Sequence, residues 1–231
     1  MTASTPDPGA SQRSGGIFRG FREILIIIAI AIVVSFLIRT FFFKAFLIPS
    51  GSMEQTLQVN DRIFVNLMID SQEQLERGDV VVFEDQHGWL PPAQSEPNAF
   101  AQALEFVGLY PSTSEQHLVK RIIGTSGDHI TVNPESRNLV VNGTELNEPY
   151  LYPGVNGSDI DFEVTVPEGH MWMMGDNRSA SGDSRTHMDG PNEGFVNIDQ
   201  VVGRAEVIAW PLDRWGSAGS NNEPFEQVPE P

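Results

Sequence analysis

Cysteine is absent from the 231 residues, and lysine nearly so, with Lys44 and Lys120 the two in the chain. The first absence excludes a disulfide framework, a thiolate zinc site and a cysteine nucleophile. The scarcity of lysine sharpens a charge deficit. Fourteen basic residues stand against 31 acidic ones, and the formal net charge of −17 argues against a nucleic-acid partner. Only one long apolar run occurs, near the N-terminus, so nothing returns the chain across a membrane once it has crossed. No internal repeat is visible. Gly and Pro, by contrast, are plentiful at 21 and 16, as in a loop-rich domain of moderate size.

The apolar run sets the first expectation. Residues 1–22 are small and polar, with Arg13, Arg19 and Arg22, and "ILIIIAIAIVVSFLI" then extends from Ile24 to Ile38 with Ser35 as its one polar residue. Continued through "RTFFF" to Phe43, it is long enough for about 30 Å of helix. A transmembrane anchor is therefore expected over 23–43, with Arg39 and Lys44 reaching the outer interface. A cleavable signal peptide would need a small-x-small site after the run, and "RTFFFKAFLIP" offers none. The expected topology is a single pass through the cell membrane, with a cytoplasmic tail over 1–22 and the rest outside.

Beyond the anchor the pattern turns to strands. "DRIFVNLM", "GDVVVF", "HLVKRIIG", "HITV", "NLVVNG", "FEVTVPEGHMWMMGD" and "VVGRAEVIAWP" are short β-branched or aromatic runs separated by Gly, Pro, Asn and Asp. The fold class is a mostly β, antiparallel domain over 44–214. "VNGTEL" reads as a hairpin turning at Asn142-Gly143, within a hairpin-rich subdomain inserted over 129–165. "NAFAQALEFVG" is expected to form a short helix capped by Asn98. The last stretch, 215–231, reads as a disordered tail.

Residues 45–231 carry 29 acidic groups against eight arginines and Lys120. A domain that otherwise avoids lysine keeps one in "HLVKRIIG". As a strand, this segment puts Leu118, Lys120 and Ile122 on one face and Val119, Arg121 and Ile123 on the other. Both cations then sit among apolar neighbours, where each must be paired, neutral or able to reach solvent. Arginine holds its proton; lysine can release it. A neutral lysine is a general base, and Ser50 and Ser52 stand on a turn around Gly51 just after the apolar run. Serine–lysine pairs are a variant of nucleophile activation. An edge-strand lysine reaching solvent and a plain turn explain the same residues.

In order and character, "IPSGSMEQTL", "RGDVVVF", "HLVKRIIG" with its following Gly-Asp, and "MMGDNRSASGDSR" resemble the sequence boxes of type I signal peptidases, the bacterial leader peptidases, in their short actinobacterial or Gram-positive form. The resemblance covers about residues 24–211. It implies a membrane-anchored serine endopeptidase, acting without a cofactor or metal, that removes signal peptides from exported preproteins beside the lipid bilayer and near the export translocon. Its catalytic domain would be β-rich and lie on the outer membrane face. Carried over by position, Ser52 is the nucleophile and Lys120 the general base. Ser50 and the Ser52 backbone N–H form the oxyanion hole. Ser181 orients the lysine amine, Asp183 pairs with Arg185, and Asp176 pairs with Arg121. Phe46, Ile48, Met53, Leu57 and Val119 line pockets for the small residues at positions −3 and −1, with core packing the competing role for Leu57. The preprotein binds as an added strand.

The chain departs from the family's pattern at Gln55, where proline is usual, and in "GTSGD", which lacks the proline common before Gly-Asp. Both are expected to loosen turns without touching chemistry. Two further readings remain open on the residues. One is a histidine-dependent serine hydrolase using His87, His117, His129, His170 or His187; the other is an anchored β domain without activity. A calcium loop through Asp176, Asn177 and Asp183 fits no EF-hand spacing.

Overall fold

The computed structural model describes residues 15–69, 74–90 and 117–231, with helix side chains described over 20–35. The first element, α1 (Gly15–Phe41), is followed at once by β1 (Phe43–Leu47). The span expected over 23–43 thus meets a helix that ends at Phe41, because Phe43 already pairs with Asn66 of β2 (Arg62–Asn66). Among the described residues no helix is long and apolar enough to cross a membrane. What is described of α1 is apolar on all sides, with Ile24, Ile27, Ile30 and Val33 all exposed. The helix expected around Asn98 lies outside the described residues.

The strand-forming runs give two antiparallel sheets. In the larger, the order is β1, β2, β11 (Val201–Trp210), β3 (Val80–Glu84), β4 (His117–Gly124), β9 (His170–Met174) and β10 (Val196–Asn197), with β12 (Gly216–Ser217) also on β11. The smaller holds β7 (Thr144–Glu145), β6 (Leu139–Val141), β5 (His129–Val132) and β8 (Glu163–Thr165), all drawn from residues 129–165. The turn between β6 and β7 has Asn142 at φ 47° and Gly143 at φ 81°, the pair of positive angles that a tight hairpin requires.

Alternation along "VVVF" shows why the large sheet is buried on both sides. Val80 and Val82 enter one cluster with Ile48, Met53, Leu57 and Ile63, while Val81 and Phe83 enter another with Leu118, Ile122 and Met173. A third cluster around Trp172 joins Ile123 of β4 to Ile130 and Val141 of the small sheet. Strand β4 therefore lies where all three meet. It pairs with β3 from His117 to Arg121, Val81 facing Lys120, and with β9 only from Arg121 onward. Among the described residues, none pairs as a strand with 117–120 on the β9 side.

The expected disordered tail over 215–231 is instead packed. Ser217 and Gly216 pair with Val207 and Ile208, and Phe225 and Val228 are buried in the third cluster. Arg77 donates to the carbonyls of Val228 and Pro229, and Asn142 Nδ2 donates to Pro229 at 2.8 Å. The composition is polar, but two spaced apolar side chains suffice once a formed sheet offers them a groove. Replacing Phe225 by alanine is accordingly expected to lower stability by about 3–5 kcal/mol in denaturant unfolding of the full chain. A loss under about 1 kcal/mol, as for a surface site, would contradict a core role.

Candidate active site

Two loops fill the space beside Lys120. The first, 48–61, leaves β1 and returns to β2, and its ends are tied by Ile48 N–H to Asp61 O (2.9 Å) and Asn60 N–H to Ile48 O (2.8 Å). Within it Leu57 N–H reaches back to Met53 O at 2.7 Å, winding the turn that carries Ser52. The second, 175–187, leaves β9 and contains two single-turn 3₁₀ helices, Arg178–Ala180 and Ser184–Thr186. The loops meet where Asn177 N–H donates to Ser52 O at 3.1 Å. Gly175 makes the approach possible. A Cβ there would stand 2.4 Å from Ser52 O and 2.3 Å from Ser181 Oγ, inside any allowed contact.

Lys120 Nζ donates to Ser52 Oγ at 2.8 Å and to the Val119 carbonyl at 3.2 Å. Both side chains are buried; Lys120 keeps 2% of its surface. Ser50 is exposed, and its hydroxyl lies 3.4 Å from Ser52 Oγ. Burial lowers the Lys120 pKa from 10.5 to about 8, against the opposing pull of Asp183 and Asp176. An amine so placed is partly neutral near pH 8 and can accept a hydroxyl proton.

Those two carboxylates are already committed. Arg121 grips Asp176 through Nε (2.8 Å) and Nη2 (2.6 Å), with neither group exposed. Burial works against the Arg121 charge, but Asp176 more than compensates and its pKa is raised. Arg185 grips Asp183 through Nε (2.9 Å) and Nη2 (2.8 Å), and Asp183 also accepts from Gly175 N–H at 3.1 Å. Both expected ion pairs are thus brought together beside the lysine. Ser181 is not: it is buried, yet its hydroxyl bonds neither Lys120 nor any other group among the described residues. It is packed against Gly175, and the amine already has Ser52 and Val119.

Phe46, Ile48, Met53 and Leu57 come together in one core cluster, with Val119 partly buried against it. Little of the first four is exposed, so much of their surface is spent on packing. Gln55 has φ 87°, which proline cannot adopt. The departure at this position therefore changes the turn itself rather than merely loosening it.

The five histidines are engaged elsewhere. His187 stacks on Trp89 at 4.4 Å, His117 meets the edge of Phe46, His129 faces Glu163, His170 bonds Glu168 O, and His87 meets Asn192. Among the described residues no cluster of His, Asp or Glu is arranged to hold a metal ion.

Sequence reasoning missed a second layer. Thr56 Oγ1 donates to Asp176 Oδ2 at 2.5 Å, and Tyr150 lies under the Arg121 guanidinium at 3.9 Å. Tyr150 O–H donates to Glu148, which pairs with the buried Arg178. Arg178 sits in "GDNRSA" and carried a signal as a third arginine near the site. Glu148, thirty residues away in "NEPYLY", carried none.

Known proteins are similar in sequence to this chain over most of its length. The family model described as "Signal peptidase, peptidase S26" matches residues 21–210. A probable signal peptidase I of Mycobacterium leprae is 37% identical over 87% of this chain and 80% of its own. Signal peptidase I of Mycobacterium tuberculosis is 36% identical over 95% and 81%. Signal peptidase I P of Bacillus subtilis subsp. natto is 32% identical over 81% and 88%.

The buried amine has a measurable cost in stability. A lysine whose folded pKa is depressed contributes stability above its unfolded value near 10.5 that is lost as pH falls through about 8. Lys120→Met should therefore be more stable than the parent below pH 8. The difference should shrink by about 3 kcal/mol between pH 8 and 10.5 in paired denaturant titrations. A difference independent of pH would mean that burial does not depress the lysine's pKa.

Proposed function

This chain belongs to the signal peptidase family, peptidase S26, and on that premise we propose that it is a membrane-anchored serine endopeptidase. It removes signal peptides from exported preproteins, with Ser52 as nucleophile and Lys120 as general base. The observation that carries the reading is the 2.8 Å contact between the Lys120 amine and the Ser52 hydroxyl in a setting that favours the neutral amine.

The neutral amine takes the Ser52 proton as Oγ attacks the carbonyl carbon of the scissile bond. Charge then develops on the carbonyl oxygen, where the Ser52 backbone N–H and the Ser50 hydroxyl donate to it. Ser50 is exposed and only 3.4 Å from Ser52 Oγ, so a small rotation of its hydroxyl serves this purpose. Lys120, now protonated, gives its proton to the leaving amine, which frees the mature protein and leaves an acyl ester on Ser52. Neutral again, the lysine takes a proton from the attacking water and returns it to Ser52 Oγ as the ester bond breaks, which releases the signal peptide and restores the pair. Ser181 has an unengaged hydroxyl packed against Gly175, which also borders Ser52 O, and from there it can steady the protonated amine during these steps.

The substrate enters extended along β4, whose residues before Arg121 lack a β9 partner. Phe46, Ile48, Met53, Leu57 and Val119 leave room only for small side chains at positions −3 and −1. The apolar run is longer than the helix side chains described over 20–35, since α1 continues to Phe41, and it serves as the single-pass anchor with its N-terminus cytoplasmic. Exposed Phe42, Trp210, Leu212 and Trp215 support contact of the catalytic domain with the outer lipid surface, near the export translocon.

The reading is tested by incubating the full chain with a purified preprotein and following cleavage by mass spectrometry. Ser52→Ala and Lys120→Arg should each abolish processing, whereas Ser50→Ala should slow it by roughly 10²–10³. The rate should rise with pH along a limb near 8, where the lysine loses its proton. Turnover by Lys120→Arg would move the base elsewhere.

A further inference from the structure

The C-terminal segment after β11 touches a neighbour of each member of the Ser52–Lys120 pair, Arg121 beside the lysine and Thr56 in the serine's loop. Arg121, the residue after Lys120, directs Nη1 to two carbonyls, Gly78 O at 2.6 Å and Gly219 O at 2.7 Å. The second belongs to this segment, and Gly78 O in turn accepts from Asn221 N–H at 3.1 Å. Arg214 reaches the 48–61 loop. It grips Asp61, which closes that loop, through Nε (3.0 Å) and Nη2 (2.9 Å), and it donates to Thr56 O at 3.2 Å.

Thr56 is therefore held from two directions. Its hydroxyl bonds Asp176, the partner of Arg121, and its methyl faces Gly219 so closely that a Cβ there would lie 2.0 Å from Thr56 Cγ2. Gly219 also has φ 93°, which an L side chain rarely adopts. One short segment thus fixes the residue beside the lysine and the loop that carries the serine.

We propose that residues 212–222 form a positioning strap that holds the Ser52 loop against Lys120 through Gly219, Arg214 and Thr56. The strap touches no reacting atom. It keeps the Arg121 guanidinium fully bonded, and so keeps the Asp176 carboxylate turned toward Arg121 and Thr56 rather than toward the lysine amine. The inference rests on the peptidase reading for its effect on rate, but not for its effect on the lysine.

The test uses the full chain with lysine labelled at Cε. Only Lys44 and Lys120 then report by NMR, and the Lys120 titration can be followed directly. Gly219→Ala should raise the Lys120 titration point by about one unit toward the ordinary lysine value. It should also lower kcat about tenfold or more while KM changes little. Adding Thr56→Ser removes the colliding methyl and keeps the hydroxyl, so the double variant should recover much of both effects. If Gly219→Ala does not fold, Arg214→Gln loosens the same loop from its other contact and should shift the titration in the same direction. A normal titration and normal kcat in the folded variants would overturn the proposal, as would a defect that Thr56→Ser leaves unchanged. If the parent chain cleaves no preprotein, the peptidase reading falls, and the titration shift alone then decides the strap.

Discussion

The arrangement depends on keeping one amine out of water. Lys120 is buried, and burial is the largest influence on its pKa. Two carboxylates nearby act in the opposite sense and would keep it charged if left free. Each is instead gripped by a buried arginine, Asp176 by Arg121 and Asp183 by Arg185. Much of their charge is thereby neutralised before it reaches the amine. Four charged side chains that bond neither Lys120 nor Ser52 thus set the condition under which the pair can exchange a proton.

Burying so many charges has its own requirement: every polar hydrogen needs an acceptor. Arg121 donates five hydrogen bonds and lies against an aromatic face, the acceptors coming from Gly78 before β3, the 48–61 loop, the 175–187 loop and the C-terminal segment, and the ring from Tyr150. Segments far apart in the chain are consequently tied to one guanidinium. Glu148 and Arg178 extend the network toward the small sheet, so its packing and the geometry beside Lys120 are not independent.

Period-two patterning made most of the large sheet legible, because "DRIFV", "GDVVVF", "HLVKRIIG" and "VVGRAEVIAW" each had to bury alternate side chains. The Asn142-Gly143 turn was legible for the same local reason, since few residues tolerate its angles. Strand β1 was hidden because "FFFKAFL" continues an apolar run, and only its pairing with β2 ends the helix at Phe41. The C-terminal segment was misread because composition reports average polarity, while Phe225 and Val228 bury themselves singly. The pairs Arg121–Asp176 and Arg185–Asp183 were implied by the resemblance to type I signal peptidases and not by local pattern, and Thr56, Tyr150, Glu148 and Arg214 had no local signature either.

By itself the sequence determined the features that short-range chemistry dictates. A lone lysine in an apolar strand must be paired, neutral or solvated, and serines on a glycine turn after an apolar run can reach such a base. The alternation of "VVVF" dictates a sheet buried on both faces. Tertiary structure decided which of those options the lysine takes, through the 2.8 Å contact to Ser52 and the arginines that occupy the competing carboxylates. It also decided that the segment after β11 folds back onto Arg121 through Gly219, and that Ser181 is buried beside Gly175 with its hydroxyl unbonded. Those outcomes depend on distances between segments tens of residues apart. Such distances are set when three core clusters close around β4, and no local pattern of residues encodes them.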